Sequence, residues 1–146
     1  KTDRKYQGFF GMFRIIGDSR GKKAVALHPL KNNVADYDLV ILVAPTWGGL
    51  VAAPLYSFMV LNKDKIKKAA YINMSGGALG DNTLNLSQVP EILGKKPVAS
   101  QNLYTRDILL SRNPNKKPNT MGFKLDEAGL DFYQKEIDAF LSQLGN

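Results

Sequence analysis

The 146-residue sequence contains no cysteine. Disulfides, thiolate nucleophiles and thiolate-held metal or iron–sulfur sites are excluded with it, and the absence fits a reducing cytoplasm. Histidine is nearly as scarce, with His28 the single example. One imidazole cannot build a histidine metal site, and it leaves hydrolase chemistry without a convincing base beside a nucleophile. His28 precedes Pro29 in a segment that reads as extended, so a plain surface or structural role is expected. Long apolar runs are missing too. The longest, around residues 39–45, is strand-sized and far short of the roughly 18 residues that a membrane span needs. The sequence opens on Lys1, not Met, and no charged-then-apolar leader follows it, so the chain is expected to be processed, truncated or renumbered.

What remains is ordinary for a globular protein, 44% hydrophobic and 23% charged, so residues 1–146 are expected to form a single domain with one core. The net charge is +7. Its basic residues fall in small groups (Lys1, Arg4, Lys5; Arg20, Lys22, Lys23; Lys63, Lys65, Lys67, Lys68; Lys95, Lys96; Lys116, Lys117) that are not interleaved with aromatics. No nucleic-acid stripe is therefore expected. A field of this sign suits an anionic cofactor, an acidic protein or an anionic membrane surface, or reflects solvated loop lysines.

Apolar runs alternate with helical patterns. Residues 38–44 (DLVILVA) form a continuous β-branched run, which predicts a parallel strand buried on both faces. Residues 53–61 place Leu55, Phe58, Met59 and Leu61 near helical spacing, with Pro54 in the first turn. Residues 68–75 (KAAYINMS) predict a second buried strand, closed by Gly76 and Gly77. A short helix interrupted by Pro90 follows at 83–93, then a third strand at 97–104. Residues 125–144 predict the clearest helix. Leu130, Tyr133, Ile137, Phe140, Leu141 and Leu144 share one face, and Gly145 stops it. Asp126, Glu127 and Asp131 sit where carboxylates complement the helix dipole and read as helix-start charges. Residues 111–122 read as a polar, partner-contacting loop.

This alternation predicts an α/β fold with an open parallel sheet and flanking helices. Ligands of such sheets bind beyond the carboxyl ends of the strands. That rule selects Pro45, Thr46, Trp47, Gly48 and Gly49 after the first strand. After the second it selects Asn73, Met74, Ser75, Gly76 and Gly77. A tryptophan between a strand end and two glycines suits stacking on a flat aromatic ligand, with Thr46 and backbone N–H groups meeting its polar edge. The same residues would equally make a tight turn with Trp47 capping the core. The second segment offers a hydroxyl, an amide and unhindered backbone donors for a heterocycle rim or an anion, or a flexible connection.

The run YDLVILVAPTWGG, followed by a helix, a strand and MSGG, resembles the flavodoxin family, particularly its flavodoxin and NAD(P)H–quinone-reductase-like branches. The resemblance implies a flavodoxin-like domain binding flavin mononucleotide (FMN). Residues 45–49 would stack on the isoalloxazine and residues 73–77 would contact its pyrimidine edge. It implies electron transfer or reduction of a quinone or other small molecule, with donor and acceptor unnamed. Carrier flavodoxins are acidic, so the +7 charge leans toward the reductase-like branch or a partner of opposite charge. Residues 6–23 look like the helix preceding the third family strand.

One departure stands out. The family opens with an apolar strand and a Ser/Thr/Gly-rich loop that wraps the flavin phosphate at a helix N-terminus, and neither precedes Tyr37. The domain is thus expected to be N-terminally incomplete, exposing the edge of residues 38–44. Truncation, a partner chain or second copy supplying the strands, or a repair strand from residues 23–30 (KAVALHPL) would each explain this, and the first two are favoured. The alternative function is a flavin-free module acting by protein–protein assembly, through that edge or the aromatic surface of residues 6–16. That surface otherwise covers the sheet or lies on a membrane surface.

Overall fold

The three strands expected from the sequence become the parallel strands of one sheet in the computed structural model, which describes residues 2–3, 5–77, 83–120 and 123–145, with only the backbone of residues 8, 9 and 12. Lys1 and Arg4 of the first basic group, and residues 121–122 of the polar loop, lie outside the described residues. The helix α1 (Gly8–Arg20) and a single 3-10 turn (Val34–Asp36) precede β1 (Leu39–Trp47) and β2 (Leu50–Val51). Then come α2 (Ala53–Asn62), β3 (Lys68–Ser75), α3 (Leu84–Leu93) and β4 (Ala99–Tyr104). The chain closes with α4 (Thr105–Arg112), α5 (Glu127–Phe132) and α6 (Gln134–Ser142). The strand order is β2-β1-β3-β4, with β1, β3 and β4 parallel and β2 antiparallel to β1. No described helix is long and apolar enough to cross a membrane.

The core lies on both sides of the central strand. On one face Leu42, Ala69 and Tyr71 pack against Val51, Met59, Ile66, Val89 and Leu93, largely from α2 and α3. On the other, Ala70 and Ala99 meet Phe140 of α6. Leu103 and Met74 meet Ile108, Tyr133 and Ile137. β3 is therefore buried on both faces, as its continuous apolar run requires.

β1 corrects the expectation made for it. Leu42 is buried, but Ile41 and Val43 on the opposite face are 44% and 71% exposed. Burial of a strand depends on its neighbours. α6 covers the β3–β4 half of this face, while the outer edge of β1 pairs with β2 only at Thr46 and Trp47. Residues 23–30 form no strand; instead the Val25 N–H donates to the Ser57 hydroxyl (2.8 Å), tying the segment to α2. β1 also runs through Pro45, which an edge strand tolerates because no ladder partner needs the missing N–H.

The helices differ at three places. α3 passes through Pro90 unbroken, held by buried Asn85, Val89 and Leu93. α4 forms in a polar stretch with only Thr105 and Ile108 buried, so it carries little apolar periodicity. The last helix is divided at Tyr133, whose N–H bonds the Leu130 carbonyl (3.0 Å) in a tight turn that ends α5. The turn breaks the expected stripe, leaving Tyr133 and Phe140 buried and Leu130 and Leu141 exposed. Asp126 does start the helix, accepting from the Gly129 N–H (2.9 Å). The Arg112 guanidinium and that N–H hold its carboxyl below the ordinary carboxylate range.

Candidate functional site

Parallel pairing brings the two selected segments to one rim. Pro45 is the register partner of Met74. The chain therefore leaves both strands at the same carboxyl edge of the sheet. β4 joins through the Ser75–Tyr104 register, adding Tyr104 and Arg106.

Trp47 pairs with Leu50, so Gly48 and Gly49 form a two-residue hairpin turn. Their φ values are +60° and +79°. Two consecutive left-handed residues make the turn that a right-twisted hairpin prefers, and glycine reaches it without strain. Space is open around the position a Gly48 side chain would take. Trp47 is half-buried against Tyr6, with ring centroids 4.6 Å apart and planes tilted by 58°. The Tyr6 hydroxyl donates to Asp18 of α1 (3.1 Å). A hollow of about 560 Å³ lies on the Tyr6 side, lined by Thr2, Asp3, Lys5, Tyr6 and Gln7.

The second segment divides. Gly77 has φ +68°, and a Cβ there would press on Arg106 and Tyr104 at 3.1 and 3.2 Å. Arg106 fastens this turn: its backbone N–H bonds the Gly76 carbonyl and its guanidinium the Gly77 carbonyl, both at 3.2 Å. The guanidinium also lies 5.4 Å above the Tyr104 ring and 3.1 Å from Asp107. A cation is thereby fixed at the rim.

Asn73 and Met74 turn inward. Met74 joins the core under Tyr133, and Ser75 is buried. Asn73, 2% exposed, donates to the side-chain oxygen of Asn102, its partner across the ladder, and to the Gln101 carbonyl (3.3 Å). Asn85 of α3, fully buried, donates to the same Asn102 oxygen (3.1 Å), and the Asn102 amide donates to the Tyr104 hydroxyl (3.2 Å). Beneath this network, burial pushes the Tyr71 hydroxyl up to about 12. The neighbouring Asn85 amide pulls the other way without making a well-formed bond to it. Burial, then the Asp107 carboxylate, likewise raises Tyr133 to about 12. Both phenols stay neutral near pH 7, so neither is a base.

Of the ten residues selected from the sequence, Thr46, Trp47, Gly48 and Gly49 lie at the carboxyl end of β1, and Gly76 and Gly77 just past that of β3, Gly76 facing Thr120 and Gly77 buried against Tyr104 and Arg106. Pro45 lies exposed within β1, and Asn73, Met74 and Ser75 support the rim from inside. Sequence reading missed Tyr104 and Arg106, which the strand-end rule would have found at the third strand. It also missed Tyr6 as a neighbour of Trp47, for which spacing carries no signal. A shallow hollow of about 340 Å³, lined by Leu30, Val34, Tyr37, Leu39, Val40 and Phe58, lies at the amino end of β1. It is at the wrong end of the strand to share the rim's chemistry.

No protein-family model and no curated protein matches the sequence. Among solved structures the chain is similar to a flavoprotein from Lactobacillus acidophilus NCFM, crystallised in complex with FMN. The TM-score is 0.50 at 20% identity, covering 63% of this chain and 62% of that one. With the parallel sheet and its flanking helices, this likeness makes the fold flavodoxin-like α/β. The chain spans only 62% of that flavoprotein's length.

Proposed function

We propose that the chain is an FMN-binding, flavodoxin-like redox domain whose ring site is the rim built by Trp47, the Gly48–Gly49 hairpin and the Gly76–Gly77 turn. The observation that supports it most is the parallel β1–β3 register, which brings both segments to one edge of this fold. The residues suit the ring half of the cofactor. Trp47 offers an aromatic surface, and the exposed hairpin lets backbone approach. For the phosphate half, the sequences leading into α2 (GLVA) and α4 (NLY) are not Ser/Thr-rich, so neither helix start is the family's phosphate loop. In this proposal the cradle comes with a strand that completes the open edge of β1.

When bound, FMN supplies the electron chemistry, while the chain stacks, orients and shields the ring. Electron transfer or reduction of a quinone or other small molecule, in the cytoplasm, follows from this reading. Trp47 is the single tryptophan, so FMN added to the purified protein is expected to quench its emission saturably at one equivalent. An undiminished emission and a colourless protein would refute the proposal.

The open edge favours a second reading, assembly through β1. Among the described residues, 39–45 pair on one side alone, and Ile41 and Val43 leave an apolar strip beside them. Such an edge invites another strand. On this reading light scattering finds a dimer or larger species, and Val43→Lys converts it to monomer. A monomeric parent protein contradicts assembly between copies.

A further inference from the structure

We infer that Tyr6 is a positioning residue for the Trp47 ring, and through it for the stacking surface of the rim; the inference rests on the flavin reading above. Tyr6 comes from the segment before α1, far from either selected loop, yet its ring lies 4.6 Å from that of Trp47.

Three observations hold it there. Its hydroxyl donates to Asp18, a carboxylate only 3% exposed and therefore fixed within the fold (3.1 Å). The Arg14 guanidinium, one turn earlier on the same helix, donates to the Lys5 carbonyl at 2.9 Å, clamping the backbone just before Tyr6. Finally, α1 carries Gly11 in its interior, where glycine is otherwise unfavourable. A Cβ at Gly11 would come within 2.5 Å of the Tyr6 carbonyl carbon and 2.6 Å of its oxygen. The glycine lets the helix pass directly over the Tyr6 backbone. α1 in turn packs against α2 and the β1–β2 hairpin, so the tyrosine is referenced to the framework that carries Trp47.

The consequence is steric. Trp47 follows Thr46 at an open rim beside a glycine turn, and its indole would otherwise sample several rotamers. The tilted Tyr6 ring blocks part of that range. A flat ligand then meets a tryptophan already ordered, and less freedom is lost on binding.

Two substitutions test this by different routes. Tyr6→Leu removes the aromatic ring at similar bulk. Gly11→Ala, favourable to the helix itself, pushes the Tyr6 backbone away and leaves the tyrosine intact. Both are expected to shift ligand-free Trp47 emission to longer wavelength, lower its anisotropy and raise its quenching by acrylamide. Tyr6→Phe, which keeps the ring, is expected to stay near the parent protein. In FMN titrations the first two variants are expected to bind about three- to tenfold more weakly, the range for losing one aromatic pair. Unchanged Trp47 emission in Tyr6→Leu overturns the inference, and so does a shifted emission with unchanged FMN affinity. If the parent protein takes up no FMN, the flavin reading fails, and ligand-free emission alone decides whether Tyr6 orders Trp47.

Discussion

Trp47→Ala is expected to weaken FMN binding about ten- to hundredfold, the usual effect of removing one aromatic platform from a stacked heterocycle. The loss should be local. Trp47 is only half-buried and stands at the last register pair of the β1–β2 hairpin, outside the main core clusters. Thermal unfolding of the variant should stay close to the parent, while the FMN titration moves. Trp47→Phe retains a smaller ring and should fall between the two. A Trp47→Ala protein that binds FMN as the parent does would remove the aromatic from the site, whatever the fold.

Asn102→Ala is expected to have the largest effect on stability, about 2–4 kcal/mol, through a network that the rim rests upon. The Asn102 side-chain oxygen accepts from Asn73 and from Asn85, both buried. Removing it leaves two dry amides short of an acceptor, and each such group costs about 1–3 kcal/mol. The same substitution also releases the Tyr104 hydroxyl and loosens the ground beneath Arg106 and Gly77. Urea unfolding measures the effect. A midpoint shift no larger than that of Tyr104→Phe, which deletes a single half-buried hydroxyl contact, would show that the network carries little.

β1 and β3 were legible because a strand inside a parallel sheet writes a largely apolar run, and β3 is buried as its run demands. β1 was legible as a strand but not as a half-bare one, since its second face depends on what packs there. Ile41 and Val43 read like core residues and stand exposed because the α6 cluster takes in β1 only at Leu39 and otherwise covers the β3–β4 half. α4 left little trace in its polar sequence, and the division at Tyr133 depends on a tertiary contact, its hydroxyl donating to the Tyr104 carbonyl. The strand-end rule selected Trp47, Gly48, Gly76 and Gly77, which the structure places at the carboxyl ends of β1 and β3. It could not say which neighbouring residues face outward. Asn73 follows the two-residue period of β3 onto the Tyr71 face, beneath α3, and becomes a support for the rim. Tyr6 and Asp18 reach the site through the packing of α1, which no local pattern encodes.

The central claim is that one rim, and no other surface, receives the flavin. Amide and indole N–H chemical shifts recorded during an FMN titration test it directly. The account predicts that the largest changes fall on the Trp47 indole and on the backbone amides of Gly48, Gly49, Gly76 and Gly77. Changes concentrated instead around Leu30, Tyr37 and Phe58, at the amino end of β1, would contradict it.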